Sequence, residues 1–311
     1  MRVFANPTYP FLQWQRRGFI TSGVVIAIGA LVMIVNVIAT GSWLKYGIDF
    51  TGGTLVQVRF NQPTRIEDIR AALAGPGAPE ITRFGAETEF IIRAPLSEET
   101  AIEQVRDSLA QVLQASFGQG AFTVERTELV GPKIGEELQQ KATLAILLSF
   151  GLTLVYLAFR FEFRFGLAAV IATMHDILVT LGYLAVFRTE VSLAIVAALL
   201  TVVGYSLNDK IVIFDRIREN LKKAGRRPNE PEVVNHSVNQ TLSRTVLTGG
   251  ATLGVLLTLF LLGGAVIRDF AAVLIVGIVV GTYSSIFIGA PALLIIRRYW
   301  ADRAKKTPAT A

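Results

Sequence analysis

Apolar runs of membrane-spanning length recur along the chain, and one stretch with soluble-domain patterning interrupts them. The first run covers residues 19–38 behind a polar segment carrying Arg2, Arg16 and Arg17. It is as long as a spanning helix and longer than a signal-peptide core, and no small-residue cleavage site follows it. An uncleaved first span with a cytoplasmic N-terminus is expected. Further spans are expected at 142–159, 165–187, 191–214, 245–262 and 270–296. The domain reading is 1–40 for the N-terminus and first span, 41–141 for a periplasmic domain, 142–296 for spans two to six with a cytoplasmic connection at 215–244, and 297–311 for a cytoplasmic tail.

Within 41–141 the period changes. Alternation over 54–60 predicts a strand, 65–74 a helix, and Gly75, Pro76 and Gly77 a turn. Strands at 80–84 and 89–93 follow, then a longer helix opened by Ser97 with Glu98 and Glu99 in its first turn, and a last strand at 122–129. This β-α-β-β-α-β order is that of the ferredoxin-like split unit, an antiparallel sheet with two helices on one face. Val56, Val58, Phe60, Ile69, Leu73, Ile91, Ile102, Val105, Leu109, Val112, Val124 and Leu129 are its expected core. The fold class is therefore a polytopic α-helical membrane protein with six transmembrane helices and a ferredoxin-like α+β domain between the first two.

Composition agrees: at 311 residues with 52% hydrophobic and 17% charged positions, the chain is too apolar for a soluble domain. A net charge of +6 would suit nucleic acid, but the cations cluster between apolar runs, so membrane orientation explains them and no nucleic-acid partner is expected. Arg160, Arg164, Arg216, Arg218, Lys222, Lys223, Arg226, Arg227, Arg297, Arg298, Arg303, Lys305 and Lys306 fall inside, whereas the short outer turns hold Arg188 and Arg268. Cysteine is absent, so the outer domain has no disulfide framework. The inner connection extends the fourth span to Gly225, with Pro228 and Pro231 beyond; Val234, Val238 and Leu242 then predict a short amphipathic segment on the membrane surface. Residues 305–311 read as a disordered tail.

Candidate chemistry concentrates in the fourth span, which carries Asn208, Asp209 and Lys210. An Asp or Lys at a helix centre costs roughly 2.5–3.5 kcal/mol on insertion scales, so such a group marks function and demands a partner. On a helical wheel Thr201, Tyr205, Ser206, Asp209 and Arg216 form one polar stripe. Antiparallel packing of spans four and five brings Asp209 and Arg244 to similar depth, as a carboxylate–guanidinium pair whose strength depends on protonation. His175 and Asp176 lie at mid-span in the third helix, flanked by Thr173 and Thr180, and are a second station of a proton path or a structural hydrogen-bond partner. Adjacent His and Asp side chains point apart and no second spanning His exists, so no metal is expected. The Gly47-Ile-Asp-Phe-Thr-Gly-Gly-Thr54 turn lacks the ending of a phosphate loop and is read as the glycine turn entering the first strand. Tyr283, Ser284 and Ser285 have no base at a suitable spacing, which makes an enzyme the weakest class. Gly249, Gly250, Gly254, Gly277 and Gly281 offer small-residue surfaces to a homologous partner.

Several motifs in order carry a family resemblance: Gly47-Ile-Asp-Phe-Thr-Gly-Gly-Thr54, Val130-Gly-Pro-Lys-Ile-Gly135, His175-Asp176, Gly204-Tyr-Ser-Leu-Asn-Asp209, Phe214-Asp-Arg-Ile-Arg-Glu-Asn220 and Ser243-Arg-Thr245. Over essentially its whole length the chain resembles SecF subunits of the bacterial SecDF export accessory complex, a branch of the resistance-nodulation-division superfamily. The resemblance implies a SecD partner completing a twelve-helix unit, the SecYEG channel, preprotein substrate, surrounding lipid, an inner-membrane location with both termini cytoplasmic, and no cofactor beyond the proton gradient. It places Asp209 and Arg244 on positions tied to proton transport. Where the family usually has a small polar residue, this chain has Lys210, which leaves the operating pH open. The alternative is half of a proton-coupled small-molecule or ion exporter of the same superfamily.

Overall fold

The structure is a computed structural model and describes residues 7–75, 78–84, 86–94, 102–160, 162–225 and 228–306. Helix α1 (Gln15–Thr40) leads to strand β1 (Lys45–Tyr46) and the single turn α2 (Ile48–Thr51). There follow β2 (Gly53–Phe60), α3 (Ile66–Ala72), β3 (Glu80–Arg83), β4 (Glu89–Ala94), α4 (Ile102–Phe117) and β5 (Phe122–Val130). The sheet order is β3-β4-β2-β5 with every neighbouring pair antiparallel, the ferredoxin-like arrangement. Val56, Val58, Phe60, Ile69, Leu73 and Leu109 are in its core, and Val105 and Val124 pack against it.

Three expected core residues are corrected by register. Val112 and Leu129 are exposed, and Leu113 takes the inward position on α4. On β4, Phe90 and Ile92 fill the core; Ile91 is buried on the other sheet face, as a period of two requires. The Ile102 side chain, Ser97, Glu98, Glu99, Pro76 and Gly77 lie outside the residues or side chains described.

After the sheet come α5 (Pro132–Arg160), α6 (Phe163–Phe187), β6 (Glu190–Val191), α7 (Leu193–Lys223) and α8 (Glu230–Leu262). Helix α9 (Ala265–Ser284) then runs through a π turn (Ser285–Gly289) into α10 (Ala290–Lys306). Among the described residues, six helices are long and apolar enough to cross a membrane, the last of them this α9–α10 unit. The polar residues 132–138 ahead of the second span already belong to α5, and Gly135 lets this helix close on α2: a Cβ there would sit 2.9 Å from the Phe50 carbonyl oxygen. The two motifs around Gly52 and Gly135 are thus halves of one packing contact.

The amphipathic segment before the fifth span is likewise corrected, since it is continuous with α8. Val234, Val238 and Leu242 do not lie on lipid; they join Phe11, Phe214 and Ile217 in a buried cluster. The Tyr9 and Leu12 N–H groups donate to the Asn239 and Asn235 side-chain oxygens, and both asparagine amides donate to the Tyr9 carbonyl oxygen, which holds the segment before α1 across this face. Both sides of the 215–244 connection are therefore built into the helix bundle.

Close helix approach occurs inside the chain at two of the glycines expected to face a partner. A Cβ on Gly277 would collide with the Val202 side chain and one on Gly281 would lie 3.0 Å from Ser206 Cβ, whereas Gly250 and Gly254 face open space. Replacing Gly277 by Ala should destabilise the bundle by about 1–3 kcal/mol through overpacking, with Val202→Ala restoring most of the loss. Thermal unfolding of the single and double variants in detergent checks this; equal melting of wild type and Gly277→Ala would refute the contact.

Candidate functional site

Asp176 on α6 and Lys210 on α7 form an ion pair at 2.7 Å with both side chains at 0% exposure. Ser206, one turn before Lys210 on the same face of α7, donates to Asp176 Oδ2 and accepts from Lys210 Nζ. The lysine also reaches the Ser206 carbonyl oxygen at 3.3 Å. The other carboxylate oxygen lies 2.9 Å from His175 Nδ1. Each ammonium proton and each carboxylate oxygen therefore has a partner, the condition under which a buried pair is tolerated.

Asp209 is on a different face of α7 and is 3% exposed. Its only hydrogen bond among the described residues comes from Thr282 Oγ1 on α9 at 3.3 Å, three residues before the π turn begins at Ser285. The expected contact with Arg244 is not made: Arg244 is exposed on α8, and no ion pair joins it to Asp209 among the described residues. The single polar stripe on α7 is also revised. Ser206 and Lys210 turn to α6, Asp209 turns to α9, Tyr205 bonds Thr248 and Thr252 of α8, and Thr201 and Asn208 are exposed. A 3.6-residue period distributes neighbouring residues among three helices rather than along one face.

His175 and Asp176 also depart from expectation, because their side chains meet instead of diverging. His175 Nε2 is buried without a hydrogen-bond partner, and its ring centroid is 6.4 Å from that of Tyr283. The Tyr283 hydroxyl donates to the Gly18 carbonyl oxygen at 2.8 Å, tying α1 to the same region. Among the described residues no group of His, Cys, Asp and Glu has metal-site geometry. Thr282 and Tyr283 were not singled out as partners of the charged residues from sequence; a polar Thr-Tyr-Ser-Ser run inside an apolar span was the available signal.

The sheet domain meets the helices at a second polar site. β1 pairs in parallel with β6, Gly47 N–H donates to Val191 O at 2.8 Å, and Leu193 N–H donates to Asp49 Oδ2 at 2.8 Å. Asp49, in the glycine-rich motif, thus binds the first residue of α7 and supplies negative charge at a helix N-terminus. Arg93 of β4 forms an ion pair with Glu190. Burial raises the Glu190 carboxyl above its ordinary value of 4.5; Arg93 and Lys45 oppose that shift, and Glu80 and Asp49 add to it.

Six membrane-length helices with a buried charge cluster, and a ferredoxin-like domain inserted after the first, define a polytopic membrane protein with ionisable groups inside its helix bundle. Residues 109–299 match the family "Protein export membrane protein SecD/SecF, C-terminal" and residues 38–64 match the "SecD/SecF GG Motif". Similar proteins are the protein translocase subunits SecF of Gemmatimonas aurantiaca, 44% identical over 96% of this chain and 90% of that protein, and of Escherichia coli O157:H7, 39% identical over 92% and 87%. The crystal structure of SecDF from Thermus thermophilus aligns with a TM-score of 0.81 at 41% identity, covering 94% of this chain, which spans 39% of that longer one. The chain belongs to the SecF family.

Two outcomes test this geometry. Lys210→Met leaves Asp176 buried without its cation and should cost about 3–5 kcal/mol, while adding Asp176→Asn recovers much of that loss; detergent melting curves of the two variants report it. For Glu190 the sign follows from its raised folded value. Its stabilising contribution is complete below the ordinary 4.5 and is lost as pH rises through the folded value. Melting temperature should therefore decline over that window in the wild type, with a shallower decline in Glu190→Gln; parallel profiles would exclude the assignment.

Proposed function

We propose that this protein is a proton-motive-force-driven accessory subunit of the Sec translocon, acting with a SecD partner and the SecYEG channel on preprotein leaving the membrane. Family membership supports the translocon role, and the similar SecDF structure supports association with SecD. The sheet domain lies on the periplasmic side and both termini in the cytoplasm; this orientation rests on the cations at the opposite end of the bundle.

One observation carries the proton-coupling part. Of two carboxyls buried at mid-span, Asp176 is saturated by Lys210, Ser206 and His175, whereas Asp209 has one long hydroxyl contact. Asp209 can gain or lose a proton without breaking an ion pair, so it is the proton-responsive group. Arg244, near but not in contact, is the counter-charge that a relative shift of α7 and α8 would bring to it. Asn208 and Tyr205 flank this path, and the cluster of His175, Asp176, Ser206 and Lys210 holds α6 and α7 together. No cofactor is required, since the gradient is the energy source.

Asp209→Asn keeps size and hydrogen bonding but removes the titratable group. In vesicles containing the partner subunits and channel, it should abolish stimulation of export by a proton gradient while leaving gradient-independent export in place. Arg244→Lys should impair stimulation more than loss of a surface anchor would, because the planar fork is gone. Normal gradient dependence in Asp209→Asn would place the switch elsewhere.

A further inference from the structure

At the end of the bundle remote from the sheet, α6, α7 and α10 enclose a cavity of about 400 Å³. Its cations are Arg164 in the first turn of α6, Arg218 and Lys222 on α7, and Arg297 on α10. Arg297 is occupied by Glu230 at 2.7 Å. The other three form no ion pair among the described residues. Arg218 Nε is buried without an acceptor, and Arg164 only stacks over Trp300, with its guanidinium carbon 5.6 Å from the ring centroid. Arg164 is a cation at a helix N-terminus, and Arg218 and Lys222 are like charges one turn apart, although Lys222 in the last turn of α7 is favoured by the helix dipole. Glu162 also lines the pocket but is exposed, so the cationic excess remains.

The rest of the lining identifies the anion's carrier. Phe165 and Leu221 contribute apolar surface, and Phe163 (65% exposed) and Trp300 (43% exposed) pack at 5.8 Å between ring centroids where the spans end. Exposed aromatics at that level belong to the membrane–water interface, where phosphates lie above acyl chains. We propose that this pocket binds a phosphate group in the form of an anionic phospholipid headgroup, with Arg164, Arg218 and Lys222 on the phosphate and Phe163 and Trp300 against the glycerol and upper acyl chain. The site rests on the membrane placement of the helices and is independent of proton coupling at Asp209.

Native mass spectrometry of the full-length chain, purified in a neutral detergent and mixed with phosphatidylglycerol or phosphatidylcholine, tests it. The wild type should retain phosphatidylglycerol preferentially, and Arg164→Gln with Arg218→Gln should lower that retention by about thirtyfold. Arg164→Lys with Arg218→Lys should keep much of it. Loss of Arg16 and Arg17, exposed cations on α1 outside the pocket, should have little effect. Equal retention of both lipids, or an equal loss in the Arg16→Gln, Arg17→Gln variant, would overturn the site. Displacement of the lipid by inorganic phosphate alone would identify the free anion as ligand and overturn the lipid assignment. A failed gradient-dependence test at Asp209 would leave this result untouched.

Discussion

A carboxylate and an ammonium at 0% exposure inside a helix bundle set the terms for everything around them. Neither ion tolerates hydrocarbon alone, and a buried pair survives only where the remaining protons and lone pairs are also met. Asp176 and Lys210 meet that condition through Ser206, His175 and the α7 backbone. It demands close approach, which Gly281 permits by bringing α9 against the Ser206 side chain. The hydrophobic contacts of α6, α7 and α9 supply adhesion with little direction, whereas this network fixes which faces meet.

From that fixed centre α7 reaches both polar ends of the molecule. Its 31 residues give a length of about 46 Å, beyond the hydrocarbon thickness of a bilayer. At one end Asp49 binds its first N–H and Glu190, just before it, is paired with Arg93 of the sheet. At the other, Asn220 and Arg216 bond Gln240 of α8, and Asn220 also bonds Ser237. A displacement of α7 along its axis would have to carry or break these contacts. The helix bearing Asp209 is in this way joined directly to the sheet domain, with no flexible linker between Glu190 and Leu193 to absorb motion.

Span number, sheet order and most of the small core were legible because each rests on a local period: 3.6 for helices, two for strands, and an apolar length set by the bilayer. What failed depends on direction. Periodicity recognised α4 but chose Val112 over Leu113, a difference of one position that only packing decides. The amphipathic face of Val234, Val238 and Leu242 was visible, yet its cover was assigned to lipid because the Tyr9–Trp14 segment that crosses it is some two hundred residues away in sequence. The charged residues themselves were evident from their cost in an apolar run. Their pairing was not: Asp209 and Lys210 are adjacent in sequence, and a rotation of about 100° per residue sends them to different helices.

That divergence changes what the lysine means. A cation next to Asp209 in sequence suggests a direct influence on that carboxyl, and so a displaced operating pH. In the folded protein the Lys210 side chain runs past Ser206 and its ammonium is bound to Asp176. A small polar residue at 210 would leave two mid-span carboxyls with no lysine between them. With Lys210 present, Asp176 is held as half of an ion pair and Asp209 alone remains without one. The lysine therefore decides how many of these two carboxyls lack an ion-pair partner: one with Lys210 present, both without it.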